Sequence, residues 1–456
     1  VPEIYILIYP NIDKGEFVMQ NNLNSATSAA VRPTNVRWFM LSLIMMIMVI
    51  NYLDRGNLAV AAPVMQKELG LDPATLGILF SAFAWSYAFC IPFAGALLDK
   101  IGPRLMFTIG IVGWSVATVA IGFTNTLTAL LGARTMVGIF EAPTIPTNVR
   151  CVAAWFPDRE RALAVGMYTS MQYVALGFLT PVLAWILVTY GWKMIFFITG
   201  ALGLVVGIIW HLNYRDPKDC HIINKAEMDY IKEGGALVNS GVAKGNVVSW
   251  KTVGKLFRQR KLVGMFIGHF SIMTTLFFFM TWFPTYLING KGLTILKGGY
   301  YAMIPFLVAI CGALLGGKWS DWMTDKGYSK TVSRKVPIIT GFLLATVILG
   351  ANYMDSINGV IICMAIAFFG QAMASTVTGA LLSDIAPKDL LGLAGGLLNF
   401  IANIGSATSP MVVGFIVQGT GGFNMALVYV SCVSIMGILA YTLVLTKVER
   451  IVLDED

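Results

Sequence analysis

The sequence predicts an all-α membrane protein of twelve transmembrane helices, arranged as two six-helix halves with both termini on the cytoplasmic side. Composition sets the class. Of 456 residues, 57% are hydrophobic and only 12% are charged, and the mean hydropathy is +0.73. Soluble domains carry about 25% charged residues, so a soluble enzyme of this length is excluded. Spacing sets the count. A helix crossing a bilayer core needs about 20 apolar residues, and twelve would use roughly 250 of this chain. The distribution of Lys and Arg sets the orientation.

Taken in order, residues 1–37 form a polar cytoplasmic tail. Its one apolar stretch, Ile4 to Tyr9, is too short for a signal-peptide core. Met19, ahead of a Ser/Asn-rich segment, is a candidate start. Apolar spans follow at 38–62, 74–98, 104–123, 127–149, 161–187 and 192–213, making the first half (38–213). A cytoplasmic linker occupies 214–260. In it, Asn224-Lys225-Ala226-Glu227 reads as a capping box that opens a short helix ending at Gly234-Gly235. Trp250 to Lys261 reads as a basic amphipathic helix on the membrane surface. Six more spans, at 261–288, 296–319, 335–354, 357–383, 389–418 and 424–446, make the second half (261–446), followed by a tail at 447–456.

With both termini inside, the cytoplasmic loops hold Lys100, Arg104, Arg150, Arg159, Arg161, ten basic residues from Arg215 to Lys261, then Lys318, Lys326, Lys330, Arg334, Lys335 and Lys388. The opposite loops hold Lys67, Lys193, Lys291 and Lys297. This is the positive-inside bias of a polytopic protein. It also accounts for the net charge of +8 without invoking a nucleic-acid partner. Cys90, Cys151, Cys220, Cys311, Cys363 and Cys432 form no C-x-x-C pair, and His211, His221 and His269 are scattered. No metal site, cofactor site or catalytic constellation is expected.

Four ionisable residues fall inside spans: Asp54 and Arg55 on the first, Arg134 and Glu141 on the fourth. Each costs roughly 2.5–3.5 kcal/mol at mid-membrane if unpaired. Neighbours in sequence do not face each other on a helix, and seven residues separate Arg134 from Glu141 by about 10.5 Å. Each acid therefore needs a base from the other helix. Depth suggests Asp54 with Arg134, and Arg55 with Glu141 as a state-dependent pair. Permanent bridges that merely hold helices together are the alternative. A desolvated carboxylate gains proton affinity when its arginine is taken by an anion, which is a route to proton–anion symport. Asp54 and Glu141 are the expected proton carriers, Arg55 the expected anion-binding residue, and Arg134 a charge-pair partner.

The second half offers hydroxyls and amides instead: Gln371, Ser375, Thr376 and Thr378, then Asn399 and Asn403. Tyr52, Tyr87, Tyr168 and Gln172 of the first half are expected to join them around a polyhydroxylated ligand. Singly, each is equally well read as a helix–helix hydrogen bond.

Gly95-x-x-x-Asp99-Lys100-x-Gly102-x-Arg104 sits between spans 2 and 3, and a degraded copy, with Gly317, Asp321, Asp325 and Lys326, lies about 222 residues on. The first copy resembles the signature loop of the major facilitator superfamily, a gating motif in which Asp99 would meet a helix N-terminus of the other half. Asn51-Tyr52-Leu53-Asp54-Arg55-Gly56-Asn57-Leu58, Phe140-Glu141-Ala142-Pro143 and Trp155-Phe156-Pro157-Asp158-Arg159-Glu160-Arg161-Ala162 resemble its anion:cation symporter branch, over nearly the whole chain after residue 36. That resemblance implies uptake of a sugar-acid anion, D-galactonate above others, with protons across a bacterial inner membrane by a monomer embedded in lipid. Glucarate, galactarate or another hexonate is the alternative cargo, and a non-transporting receptor a more distant one. The resemblance assigns proton coupling and carboxylate recognition to Asp54, Arg55, Arg134 and Glu141.

Overall fold

The computed structural model describes residues 33–238, 250–387 and 390–451. Met19, most of the N-terminal tail, Lys388 and residues 452–456 lie outside them. Ten helices are long and apolar enough to cross a membrane, and no strand occurs among the described residues.

The first group comprises α1 (Val36–Leu69), α2 (Pro73–Phe123), α3 (Leu127–Glu141), α4 (Thr144–Trp155), α5 (Asp158–Tyr190) and α6 (Trp192–Asn213). Two short helices follow, α7 (Lys225–Glu233) and α8 (Trp250–Arg258). The second group comprises α9 (Arg260–Thr281), α10 (Ile295–Asp325), α11 (Lys330–Ala345), α12 (Ile357–Ile385), α13 (Leu391–Thr420) and α14 (Asn424–Leu439).

Two expected spans merge in α2. A straight helix of its 51 residues would be about 76 Å long, over twice the hydrocarbon thickness. It turns instead at Gly102, where φ is 75° and ψ 164°, a conformation open to a residue without Cβ. The expected fourth span is broken in two. Pro143 has no N–H to bond the carbonyl four residues back, so α3 stops at Glu141 and α4 restarts at Thr144. A helix break therefore lies directly beside a buried acid. α9 runs on through Phe283–Thr285 into a π-turn at Tyr286–Gly290.

The two groups of helices meet at the end carrying Gln66 and Asn289. There the Asn289 side-chain amide donates to Gln66 Oε1 (3.0 Å), and Ala74 N donates to Gln418 Oε1 (3.1 Å). The α2 and α13 backbones touch: a Cβ on Gly77 would lie 2.6 Å from Pro410 O, and one on Gly414 would lie 2.5 Å from Pro73 O. Toward the Val36 end the groups separate. Phe89 and Phe93 of α2 are exposed, and Gly95, Gly166, Gly379, Gly392 and Gly396 face open space. One apolar core spans both groups at the closed end, whereas Leu256, Phe266, Phe342, Leu381 and Tyr441 form a separate cluster in the second group.

The linker helix docks on the first group. Asn224 caps α7 by accepting from Glu227 N (2.9 Å), as the sequence pattern requires. The Glu227 side chain does not close that box, however. It reaches α1, where its carboxylate accepts from Val36 N (3.0 Å), Arg37 N (3.2 Å) and Arg37 Nη1 (2.8 Å). A carboxylate thus caps the N-terminus of the first long helix from 191 residues away in sequence. Arg37 also bonds Glu160 (2.9 Å), which accepts from the Tyr230 hydroxyl.

Candidate functional site

Midway along α1, the sequence Asn51–Asn57 places polar groups on a face that the bundle buries. Asp54 is 1% exposed, Arg55 8%, Arg134 3% and Glu141 0%. Arg55 Nε donates to Glu141 Oε2 at 2.9 Å, joining α1 to the last residue of α3. Three aromatic rings enclose the same guanidinium: Tyr52 and Tyr87 at 4.9 Å and Phe83 at 5.1 Å. Arg134 lies over Phe83 as well, at 5.1 Å. One benzene ring therefore faces both arginines, and its negative π-face tempers their repulsion.

The expected Asp54–Arg134 bond is not formed. Asp54 Oδ1 instead accepts from Asn57 Nδ2 (3.3 Å) on its own helix, and Asn57 also reaches Thr199 Oγ1 on α6 (3.2 Å). A partner three residues along is within reach of a helical side chain without any adjustment of the packing, and it turns Asp54 toward α6. Of the four buried charges, Arg55 and Glu141 pair with each other, whereas Asp54 and Arg134 have no ion pair among the described residues. Among the described residues, Asp54 Oδ2, Glu141 Oε1 and Arg134 Nε have no hydrogen-bond partner, nor do the polar atoms of Asn51. Buried polar groups are normally satisfied, and an ion pair in the interior is costly unless its remaining lone pairs and protons are used. Such a cluster is suited to accept a proton or an anion.

The hydroxyl and amide set is dispersed. Thr378 is 0% exposed, donates to Ala374 O (2.9 Å) and lies 3.3 Å from the Tyr441 hydroxyl beyond α14. In this conformation it makes a helix–helix contact. Asn399 donates to Gly395 O (3.3 Å) and Asn403 to Asn399 O (2.8 Å), so these amides bond their own helix. Gln371 Nε2 donates to Ile272 O (3.3 Å), with its Oε1 unpartnered. Gln172 and Ser375 are half-buried on α5 and α12, and Tyr168 is buried on α5.

In the loop at Gly102, Asp99 and Lys100 are exposed, and Asp99 makes no hydrogen bond to the second group among the described residues. The divergence of the helices there removes the partner expected for it. Arg104 instead donates to His211 O through Nε (2.9 Å) and Nη2 (2.7 Å), closing the last turn of α6. In the second copy, Asp321 lies 3.5 Å from Arg334, which also bonds Asp384 at 2.9 Å. Phe83 gave no signal in the sequence, because an apolar residue in an apolar span has no distinguishing mark. Asn57 was legible as a polar residue three positions after Asp54.

A family model described as Major Facilitator Superfamily matches residues 44–328 and 327–453. The chain is 45% identical over 425 residues to a D-galactonate transporter of Escherichia coli O6:H1, covering 92% of this chain and 98% of that protein. It is 38% identical over 444 residues to a probable galactarate/D-glucarate transporter of Bacillus subtilis, covering 95% and 97%. In fold it resembles a bacterial homologue of the human lysosomal transporter Spinster, with a TM-score of 0.70 at 18% identity, covering 90% of this chain and 97% of that one.

Proposed function

The chain belongs to the major facilitator superfamily, and from that premise we propose that it carries a sugar-acid anion, D-galactonate, together with protons across the bacterial inner membrane by alternating access. Its family and its named relatives are transporters, not enzymes. The observation that carries it is the buried Arg55–Glu141 pair, with an unpartnered oxygen on Glu141 and another on Asp54.

The cycle follows from charge conservation in a dry site. The four charges sum to zero. A carboxylate that takes Arg55 from Glu141 leaves a buried negative charge uncompensated, and a proton on Glu141 restores neutrality. Asp54, held by one hydrogen bond from Asn57, takes a second proton, which leaves the loaded cluster with one net positive charge. Arg55 is suited to its task because a planar guanidinium matches a carboxylate with two parallel hydrogen bonds. Tyr52 and Tyr87 fix its orientation and offer hydroxyls beside the bound anion, and Gln172 and Ser375 approach when the two halves close. Arg134 keeps the vacated cluster near neutrality.

Twelve crossings account for the elements: ten long helices, a second crossing within α2 beyond Gly102, and one formed by α3 and α4 together. Positive-inside bias places the diverging end in the cytoplasm, so this conformation is closed outside and open inside, and the protein works as a monomer. Galactarate and glucarate remain a second reading of the cargo, since relatives of 36–38% identity carry those names.

The test uses the purified protein in sealed liposomes holding a pH dye. External D-galactonate should acidify the lumen in step with entry of labelled substrate. Entry without acidification would remove proton coupling. Acidification by galactarate but not galactonate would reassign the cargo.

A further inference from the structure

Glu141 is 0% exposed, although the two halves separate toward the Val36 end. A proton carried on it has no direct contact with solvent in this conformation, so its way out runs through protein. Two contacts fix the register of α1 against α4. Arg55 Nε donates to Glu141 Oε2 (2.9 Å) just ahead of α4, and Asn148 Nδ2 donates to Met48 Sδ (3.1 Å). The helices are therefore antiparallel, and between the two contacts Asn51 stands level with Thr144. Asn51 is 1% exposed, and Thr144, Thr147 and Asn148 are 0% exposed. Among the described residues, Asn51 Oδ1 and Nδ2, Thr144 Oγ1, Thr147 Oγ1 and Asn148 Oδ1 have no hydrogen-bond partner. Buried polar groups are normally satisfied. A strip of them between two helices, starting at a buried acid, suits water and the proton that water relays.

The strip continues inward. Thr144, Asn148 and Cys151 recur at i, i+4 and i+7 on one face of α4. Thr144 and Cys151 are about 10.5 Å apart along the axis, about four hydrogen-bond lengths, and Thr147 and Asn148 supply acceptors between them. The Cys151 thiol, on a 0% exposed residue, meets the Tyr214 hydroxyl, which donates to Asp216 Oδ1 (3.2 Å). Asp216 is partly exposed in the loop after α6, at the end that positive-inside bias places in the cytoplasm.

We propose that protons leave Glu141 along this strip, inside the first half, and reach the cytoplasm at Asp216, while the anion leaves between the halves. The inference rests on the transport reading above and gives its two cargoes separate exits. Each hydroxyl or thiol on the route takes a proton on one side and gives up its own on the other, so none of them changes charge. The amides of Asn51 and Asn148 hold water in line rather than pass protons themselves.

The test uses the full-length protein in sealed liposomes, oriented with its cytoplasmic end toward a lumen holding a pH dye. Thr144→Val keeps the volume and removes the hydroxyl, and Tyr214→Phe keeps the ring stacked on Trp210. Each should slow the initial rate of lumenal acidification by external D-galactonate about tenfold or more. Counterflow of labelled D-galactonate at equal pH requires no proton release and should keep the unsubstituted rate. Thr144→Ser, which restores a hydroxyl, should restore acidification. Unchanged acidification in both valine and phenylalanine variants would send the proton out between the halves, and an equal fall in counterflow would make Thr144 and Tyr214 packing residues; either result overturns the route. Entry of D-galactonate without acidification by the unsubstituted protein would instead remove proton coupling itself, and this route with it.

Discussion

Replacing Glu141 with glutamine separates a proton carrier from a structural bridge. Gln keeps the volume and leaves Arg55 an oxygen acceptor at the 2.9 Å position, but it cannot take a proton. The cluster changes from neutral to one net positive charge. A bound anion then restores neutrality, so anion binding should survive, within about a fivefold change. The driving force behaves differently. One pH unit is worth about 1.4 kcal/mol for each proton carried, or tenfold in accumulation. With Asp54 and Glu141 both loading, a one-unit gradient at zero membrane potential should concentrate D-galactonate about a hundredfold. Without Glu141 the limit falls to about tenfold, or to no accumulation if the two protons load only together. The assay is labelled D-galactonate in proteoliposomes, with accumulation under an imposed pH gradient compared against counterflow at equal pH. Full counterflow with accumulation cut from about a hundredfold to about tenfold or less is the expected result. Loss of both would identify a structural salt bridge, whose breakage costs about 3–5 kcal/mol, and retained accumulation would place the proton elsewhere.

Other changes probe other parts. Asp54→Asn should halt gradient-driven uptake in the same assay, and full activity would remove Asp54 from the coupling. Arg55→Lys should weaken D-galactonate binding about tenfold by calorimetry, because Lys lacks the planar fork and the fit to the ring cage; unchanged affinity would place the carboxylate elsewhere. Gly102→Ala should lower the thermal midpoint of the purified protein by the equivalent of about 1–2 kcal/mol, the cost of a Cβ at positive φ; an unchanged midpoint would mean that the turn relaxes. Glu227→Ala should destabilise the protein and speed proteolysis between the halves, since a 0% exposed carboxylate with four donors is lost. Proteolysis at the native rate would mean that the linker is held by other contacts.

The membrane class and the ten long apolar helices were legible because they are written locally, in hydropathy. Arg55 opposite Glu141 followed from the depths of the two residues, once adjacent residues on a helix were ruled out as partners. Asp54 escaped the same reasoning because Asn57, on its own helix, was a nearer partner than any base across the bundle. Thr378 and Asn399 carried the right chemistry for a sugar, but a hydroxyl or amide on a helix can always turn to its own backbone or a neighbour, and residue type does not decide between these outcomes. The reach of Glu227 to Val36 spans 191 residues, and a capping pattern read over four residues carries no information at that range.

The seam between α2 and α13 bears on kinetics as well as shape. Where Gly77 meets Pro410 and Gly414 meets Pro73, backbone lies on backbone, leaving no room for a methyl group and hence no water-wide gap. A contact made in one state and absent from the other acts as a term in the equilibrium between them. Under the proposed cycle, these glycines help to set how long the carrier stays closed at this end.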